Sequence, residues 1–163
     1  MLHEAPQVLI ALEQSGLAAA IRQSVWAYPA ANVGHIVALT LFAGSVAIMD
    51  ARLLGAFAAA PPADVVRPAR RAAMLGLLLM AVTGSVLFTA EASHVAMNPV
   101  FQIKAALIAL GLLNALLAGR ALDAVLADTP ARMLLPTRVR LSALLSLMIW
   151  ISVAACGRLI AYF

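Results

Sequence analysis

His35 and Lys104 are the residues of this chain best suited to hold something. His35 is one of three histidines, and a neutral imidazole in apolar surroundings is a good axial ligand for haem iron. Lys104 is the only lysine, beside ten arginines. Set in the apolar run FQIKAALIALGLLNALL, it could neutralise a carboxylate such as a haem propionate. Arg158, in the closing GRLIAYF, could neutralise a second. His94 could take the remaining axial position, or join Met97 beside it and Met80 at a copper ion, since imidazole and thioether suit copper. Trp150 could flank a flat ring. Each residue also has a plain use: cations near helix ends snorkel to the headgroups, a lone histidine bonds a carbonyl, a loop histidine sits in water, and a tryptophan packs a core.

The rest of the chain decides what surrounds these groups. Of 163 residues, 64% are hydrophobic and 11% charged, with a mean hydropathy of +1.01. Soluble domains are ~45–50% apolar and ~25% charged, so the solvent for this surplus is lipid. The net charge of +4 comes from arginines scattered through short loops, without a dense patch or interleaved aromatics. That pattern excludes nucleic-acid binding and reads as a topology signal. Cys156 is the single cysteine, which excludes a disulfide within the chain and a cysteine-based zinc site; between Ala155 and Gly157 it reads as a small packing residue. No HExxH helix, phosphate loop, serine elbow or dinucleotide fingerprint occurs. Ten arginines to one lysine amid so much alanine fits a GC-rich bacterial genome.

A transmembrane helix needs about 20 mostly apolar residues. Four stretches qualify: about 29–49, 72–90, 99–119 and 141–163. Residues 1–26 are too interrupted to span. Val8, Leu12, Leu17, Ile21 and Val25 recur on one side, which predicts an amphipathic interfacial helix, or a pair broken near Gly16. The expected fold is therefore an all-α membrane protein, a four-helix up-down bundle behind an interfacial helix, in one domain over 1–163. Small residues at fourfold spacing (Ala30, Gly34, Ala38; Gly111, Ala115, Gly119) would let helices approach closely. Pro61, Pro62 and Pro68 predict a break in the first arginine-bearing loop, with VVRPARR along the membrane surface. The second, ALDAVLADTPARMLLPTRVR, reads as another interfacial segment.

Orientation follows from the loops. Arg52, Arg67, Arg70 and Arg71 follow the first span, and Arg120, Arg132, Arg138 and Arg140 the third, while EASHVAMN between the second and third has no basic residue. The positive-inside rule places both arginine loops in the cytoplasm and both termini outside a bacterial inner membrane. At ~1.5 Å per residue, His35 then lies roughly 9 Å below the outer interface, and Lys104 and Arg158 ~7–8 Å. Three spans bring a polar group to one layer, with Glu91, His94 and Asn98 in the loop above. On the other side, Asp50 and Arg52 read as an interfacial end-cap of the first span and Asn114 as an interhelical hydrogen bond.

The segments RQSVWAYPAANVGHIVALTLFAGSVAIMDARLLG, the TG of VTGSVLF, NPVFQIKAALIALGLLNALL and GRLIAY resemble a family of small bacterial inner-membrane proteins of unknown function, implying four spans and no established activity. The pattern is more distantly similar to the copper-resistance protein D family and to the four-helix membrane protoporphyrinogen oxidase that binds b haem. What the second resemblance implies is that His35 matches the haem-ligand histidine, Lys104 the oxidase's essential lysine and Arg52 the arginine closing the first span. Asn114 matches only the copper-resistance pattern.

These readings lead to one main expectation: a b-haem protein of the inner membrane, acting as a redox or electron-transfer subunit rather than an enzyme on its own. Its partners would be the bilayer, other membrane or periplasmic redox subunits, or further copies of the chain. A structural, transport-related or copper-linked membrane protein is the alternative, and a tetrapyrrole-oxidising enzyme a further one.

Overall fold

Four helices long and apolar enough to cross a membrane dominate the computed structural model. It describes residues 5–162, without the side chains of residues 120, 121 and 128; the first residues of the expected interfacial segment and the side chain of Arg120 lie outside that description. Two short helices come first, α1 (Gln7–Glu13) and α2 (Gly16–Gln23), followed by α3 (Ala27–Leu54) and α4 (Pro62–Ala90). A single-turn-and-a-half α5 (Ala92–Met97) leads into α6 (Pro99–Asp128), then α7 (Thr137–Leu159) and a closing 3₁₀ turn, Ile160–Tyr162. Among the described residues there is no strand.

The break between α1 and α2 falls where Ser15 accepts from the Ala18 N–H and caps the second helix. Ala18 and Ile21 are buried, while Val8, Leu17 and Val25 point outward, so the apolar stripe is divided between the protein and its surroundings. Arg22 fixes this pair to the bundle: its Nη1 donates to the carbonyls of Glu13 at 2.9 Å and Ala90 at 2.6 Å. Glu13 in turn accepts from the Ser93 N–H at 2.8 Å and from the Ser93 hydroxyl. These bonds hold its carboxyl below the usual carboxylate range, the hydroxyl contributing most.

The bundle is an arc in the order α4, α3, α7, α6. α3 is central: 39% of its most apolar stretch is buried, against 6% for α6. α3 and α4 make the closest seam. A Cβ built on Gly76 would stand 2.8 Å from the Phe42 backbone nitrogen, so only glycine permits this approach. α6 meets α7 where Gly111 faces the Trp150 ring, the corresponding distance to Cζ2 being 2.8 Å.

Two expectations about the arginine-bearing loops need correction. Pro61, Pro62 and Pro68 do not keep residues 62–71 out of the helix. Pro61 is the N-cap of α4, Pro62 takes the first turn, and Pro68 is accommodated inside. Proline is tolerated in a first turn because its missing N–H has no intrahelical partner there; Pro68, in the second turn, removes one bond. VVRPARR is thus helix. Likewise α6 runs on to Asp128. The extended ends of α4 and α6 pack with Leu53 and Leu135 into a small core of Leu53, Val66, Leu122, Leu126, Leu135 and Ala143. Arg132 N–H donates to the Ala58 carbonyl at 2.8 Å, tying the two loops together across this end.

Candidate functional site

The bundle has a terminal end, where both chain termini and the α4–α6 connection lie, and an arginine end. At the terminal end His35 points from α3 at α4. Its Nδ1 is 2.9 Å from the Thr83 hydroxyl, and that hydroxyl is 2.7 Å from the Leu79 carbonyl. A carbonyl only accepts, so the single Thr83 proton goes to Leu79 and the Nδ1 of His35 must be the donor. In this arrangement the imidazole is the Nδ1–H tautomer, and among the described residues Nε2 has no hydrogen-bond partner. Gly84 makes room for the ring: a Cβ there would be 3.2 Å from Cε1. This is the arrangement in which a histidine ligates metal, one nitrogen tethered and the other bare.

Lys104 comes from α6 and lies over α7, its Nζ 3.5 Å from where a Cβ on Gly157 would stand. It is half-buried. Among the described residues it has no hydrogen-bond or ion-pair partner. Arg158 is engaged elsewhere. Its guanidinium bonds the Tyr162 hydroxyl at 2.6 Å and sits 4.8 Å from that ring's centre. His94 is exposed on α5, with no described bond to His35, Lys104 or Arg158. Asn98 starts α6, accepting from the N–H groups of Val100 and Phe101 at 2.9 and 3.3 Å.

Trp150 belongs to a different place. It meets Phe42 edge-on, ring centres 4.6 Å apart, and together they form one wall of a cavity of about 330 Å³ in the arginine half. All four long helices line it. Its polar groups are Asp50, Ser146, the Asn114–Ser142 pair, Arg70 and Arg138. Asn114 donates to the Ser142 carbonyl at 3.1 Å and accepts from the Ser142 hydroxyl at 2.9 Å, joining α6 to α7. The end-cap reading of Asp50 and Arg52 is corrected here, because both are only 1% exposed. Arg52 donates to the Ala60 carbonyl at 2.9 Å and so secures the turn after α3; Asp50 faces inward.

Could the donor set hold a metal by itself? Among the described residues no three His, Cys, Asp or Glu side chains converge as ligands. A haem brings four nitrogens of its own and asks the protein for one or two ligands; His35 suffices for one.

A model of the DUF6644 family, described as a family of unknown function, matches residues 13–163. The chain belongs to the DUF6644 family. No curated protein and no solved structure matches it. Any activity of this DUF6644 protein must therefore be argued from its own residues. Sequence reasoning passed over Thr83 and read Asp50 only as an end-cap. Thr83 was visible only as the residue before Gly84 in VTGSVLF, and nothing local marks it as the tether of a histidine 48 positions away. Asp50 carried a stronger signal, an acid directly abutting an apolar run.

Proposed function

We propose that this DUF6644 protein binds b-type haem through His35 in the outer leaflet of a bacterial inner membrane, and serves there as a redox or electron-transfer subunit. The observation carrying this reading is the Thr83 tether, which leaves Nε2 of His35 with a bare lone pair. Haem supplies one-electron redox chemistry when bound. The chain's own part is to hold and orient: His35 presents Nε2, Thr83 and Gly84 fix the ring's rotation and space, and the unpartnered Lys104 offers its charge to a propionate. The orientation rests on eight arginines gathered at one end of the bundle, in the helix ends and the turn between α6 and α7, which the positive-inside rule puts in the cytoplasm. A second redox subunit, or a second copy of the chain, would take the electron onward.

The test is the visible spectrum of the full chain purified in mild detergent after expression with haem supplementation. A Soret band is expected, lost in His35→Ala. Thr83→Val should keep the band but release haem at least several-fold faster, since loss of such an outer tether typically costs 10–100-fold in metal affinity. Absence of any Soret band ends the haem reading. Metal analysis of the same sample then separates a copper protein from a metal-free one.

A further inference from the structure

The cavity in the arginine half is separate from the His35 layer, and neither His35 nor Lys104 lines it. Its opening is set by the seam that closes the arc. Above the small core at their arginine-end extensions, α4 and α6 meet among the described residues at two levels. Toward the terminal end Phe88 and Phe101 stack with ring centres 5.6 Å apart. Toward the arginine end Arg70 pairs with Asp123 at 2.8 Å. Between these pins the helices stand apart, and Met74 on α4 with Leu112 and Leu117 on α6 line the cavity while remaining exposed on the bundle's side. On a membrane-spanning helix that side faces lipid, so the opening is lateral.

Inside, the lining is overwhelmingly apolar and one group is out of place. Asp50 is 1% exposed; Ser146 stands at its carboxyl, but Oδ2 is buried with no hydrogen-bond partner among the described residues. A buried carboxyl oxygen without a partner is costly, and ionisable groups inside a membrane bundle usually serve a ligand or ion. Of the two arginines nearby, Arg70 is already matched by Asp123 and Arg138 is exposed at the rim. Neither meets the need of Asp50. Phe42, two turns from Asp50 on the same helix, and Trp150, one turn from Ser146 on α7, also line the cavity, and aromatic rings attract cations.

We infer that this cavity is a binding site for a lipid-soluble organic cation, an ammonium bearing aromatic or alkyl groups that enters between α4 and α6. The ammonium sits against Asp50 and the Phe42–Trp150 wall, and its apolar part fills the slot toward Met74 and Leu117. A volume of about 330 Å³ lies at the lower end of the range for small-molecule pockets.

Trp150 makes the test direct. Trp26 is the only other tryptophan and is exposed, so a Trp26→Phe background leaves one reporter inside the site. The full chain in phosphatidylcholine nanodiscs is titrated with benzyltrimethylammonium, with its uncharged isostere neopentylbenzene, and with benzylsulfonate. A saturable change in Trp150 emission is expected for the cation alone. Asp50→Asn should weaken it at least tenfold. Ala115→Phe, which fills the slot without touching Asp50, should abolish it. Equal binding of the isostere would mean an apolar hole with no use for the acid. Stronger binding of the sulfonate would mean an anion site built on Arg70 and Arg138. Either result overturns the proposal, as does a wild-type titration without saturation, or Asp50→Asn and Ala115→Phe variants that bind normally.

Discussion

The two seams flanking α4 could hardly differ more. On one side α4 meets α3 so closely that Gly76 has no room for a Cβ against the Phe42 backbone. On the other, among the described residues, it reaches α6 through the Phe88–Phe101 stack, the Arg70–Asp123 pair and, at the arginine end, the small core that Val66 shares with Leu122 and Leu126. Lipid exerts no hydrophobic pressure to close a gap between helices, so association depends on fit and on polar contacts. The tight seam carries His35 and Thr83; the loose one opens the Asp50 cavity. One bundle thus separates a rigid site, where a tautomer is fixed, from a yielding one, where something can enter.

The largest effect should come from breaking the tight seam. Gly76→Leu places a side chain where backbone atoms of Phe42 already stand, and backbone cannot swing aside as a side chain can. Overpacking of this kind costs roughly 3 kcal/mol, the upper part of its usual range. Thermal unfolding in detergent should show a sharply lowered midpoint and a diminished yield of folded protein. An unchanged midpoint would mean that the two helices do not cross there. Gly111→Leu tests a milder version, since the Trp150 ring rather than backbone is the obstacle.

The loose seam should respond in the opposite manner. The Arg70–Asp123 pair is partly exposed, with 30% and 62% of the two side chains accessible. Such pairs contribute about 0–1 kcal/mol, so Asp123→Ala should scarcely move the unfolding midpoint. It should instead widen the spacing of the helices. Spin labels at Leu75 and Leu113, both lipid-facing, with Cys156 replaced by serine, would report a broader and longer distance distribution. A fall in stability comparable to that of Gly76→Leu would contradict the contrast drawn between the seams.

How legible was this contrast in the sequence? The four spans were, because membrane thickness forces about 20 apolar residues into each and few other constraints compete. The fourfold stripes of small residues were legible in part: Gly34, Ala38 and Gly111 lie at helix contacts, while Ala30 and Ala115 are exposed. Which helices would touch was not. Hydropathy is uniform around a lipid-facing helix and gives no azimuth, so nothing told α4 to seek α3 and to stand off from α6. The same limit applies to single residues. Equal depth was reason to group His35, Lys104 and Arg158, yet depth fixes only one coordinate, and Arg158 turns to Tyr162 one helical turn away. Pro68 misled for a local reason, since its lost bond weighs little beside the packing of Val66 and Ala69 in the same segment.

The smallest expected effect concerns what covers the rigid site. α1 and α2 are held over the terminal end of the bundle by Arg22 on the Ala90 carbonyl and by Glu13 on Ser93. The Ser93 hydroxyl and N–H favour the ionised carboxylate and lower its pKa from the ordinary 4.5. Folding therefore favours the deprotonated form. The contribution is complete above about pH 4.5 and is lost as pH falls through the lower value of the folded protein. Hydrogen exchange should show the amides of α1 and α2 losing protection over that acid interval while α3 and α4 keep theirs, and Glu13→Gln should show weakened protection of the same two helices already at neutral pH. A cover that loosens while the tight seam beneath it stays closed is what the division of labour between the seams requires; loss of protection in α3 and α4 at the same pH would mean that the N-terminal pair and the His35 site fold as one unit.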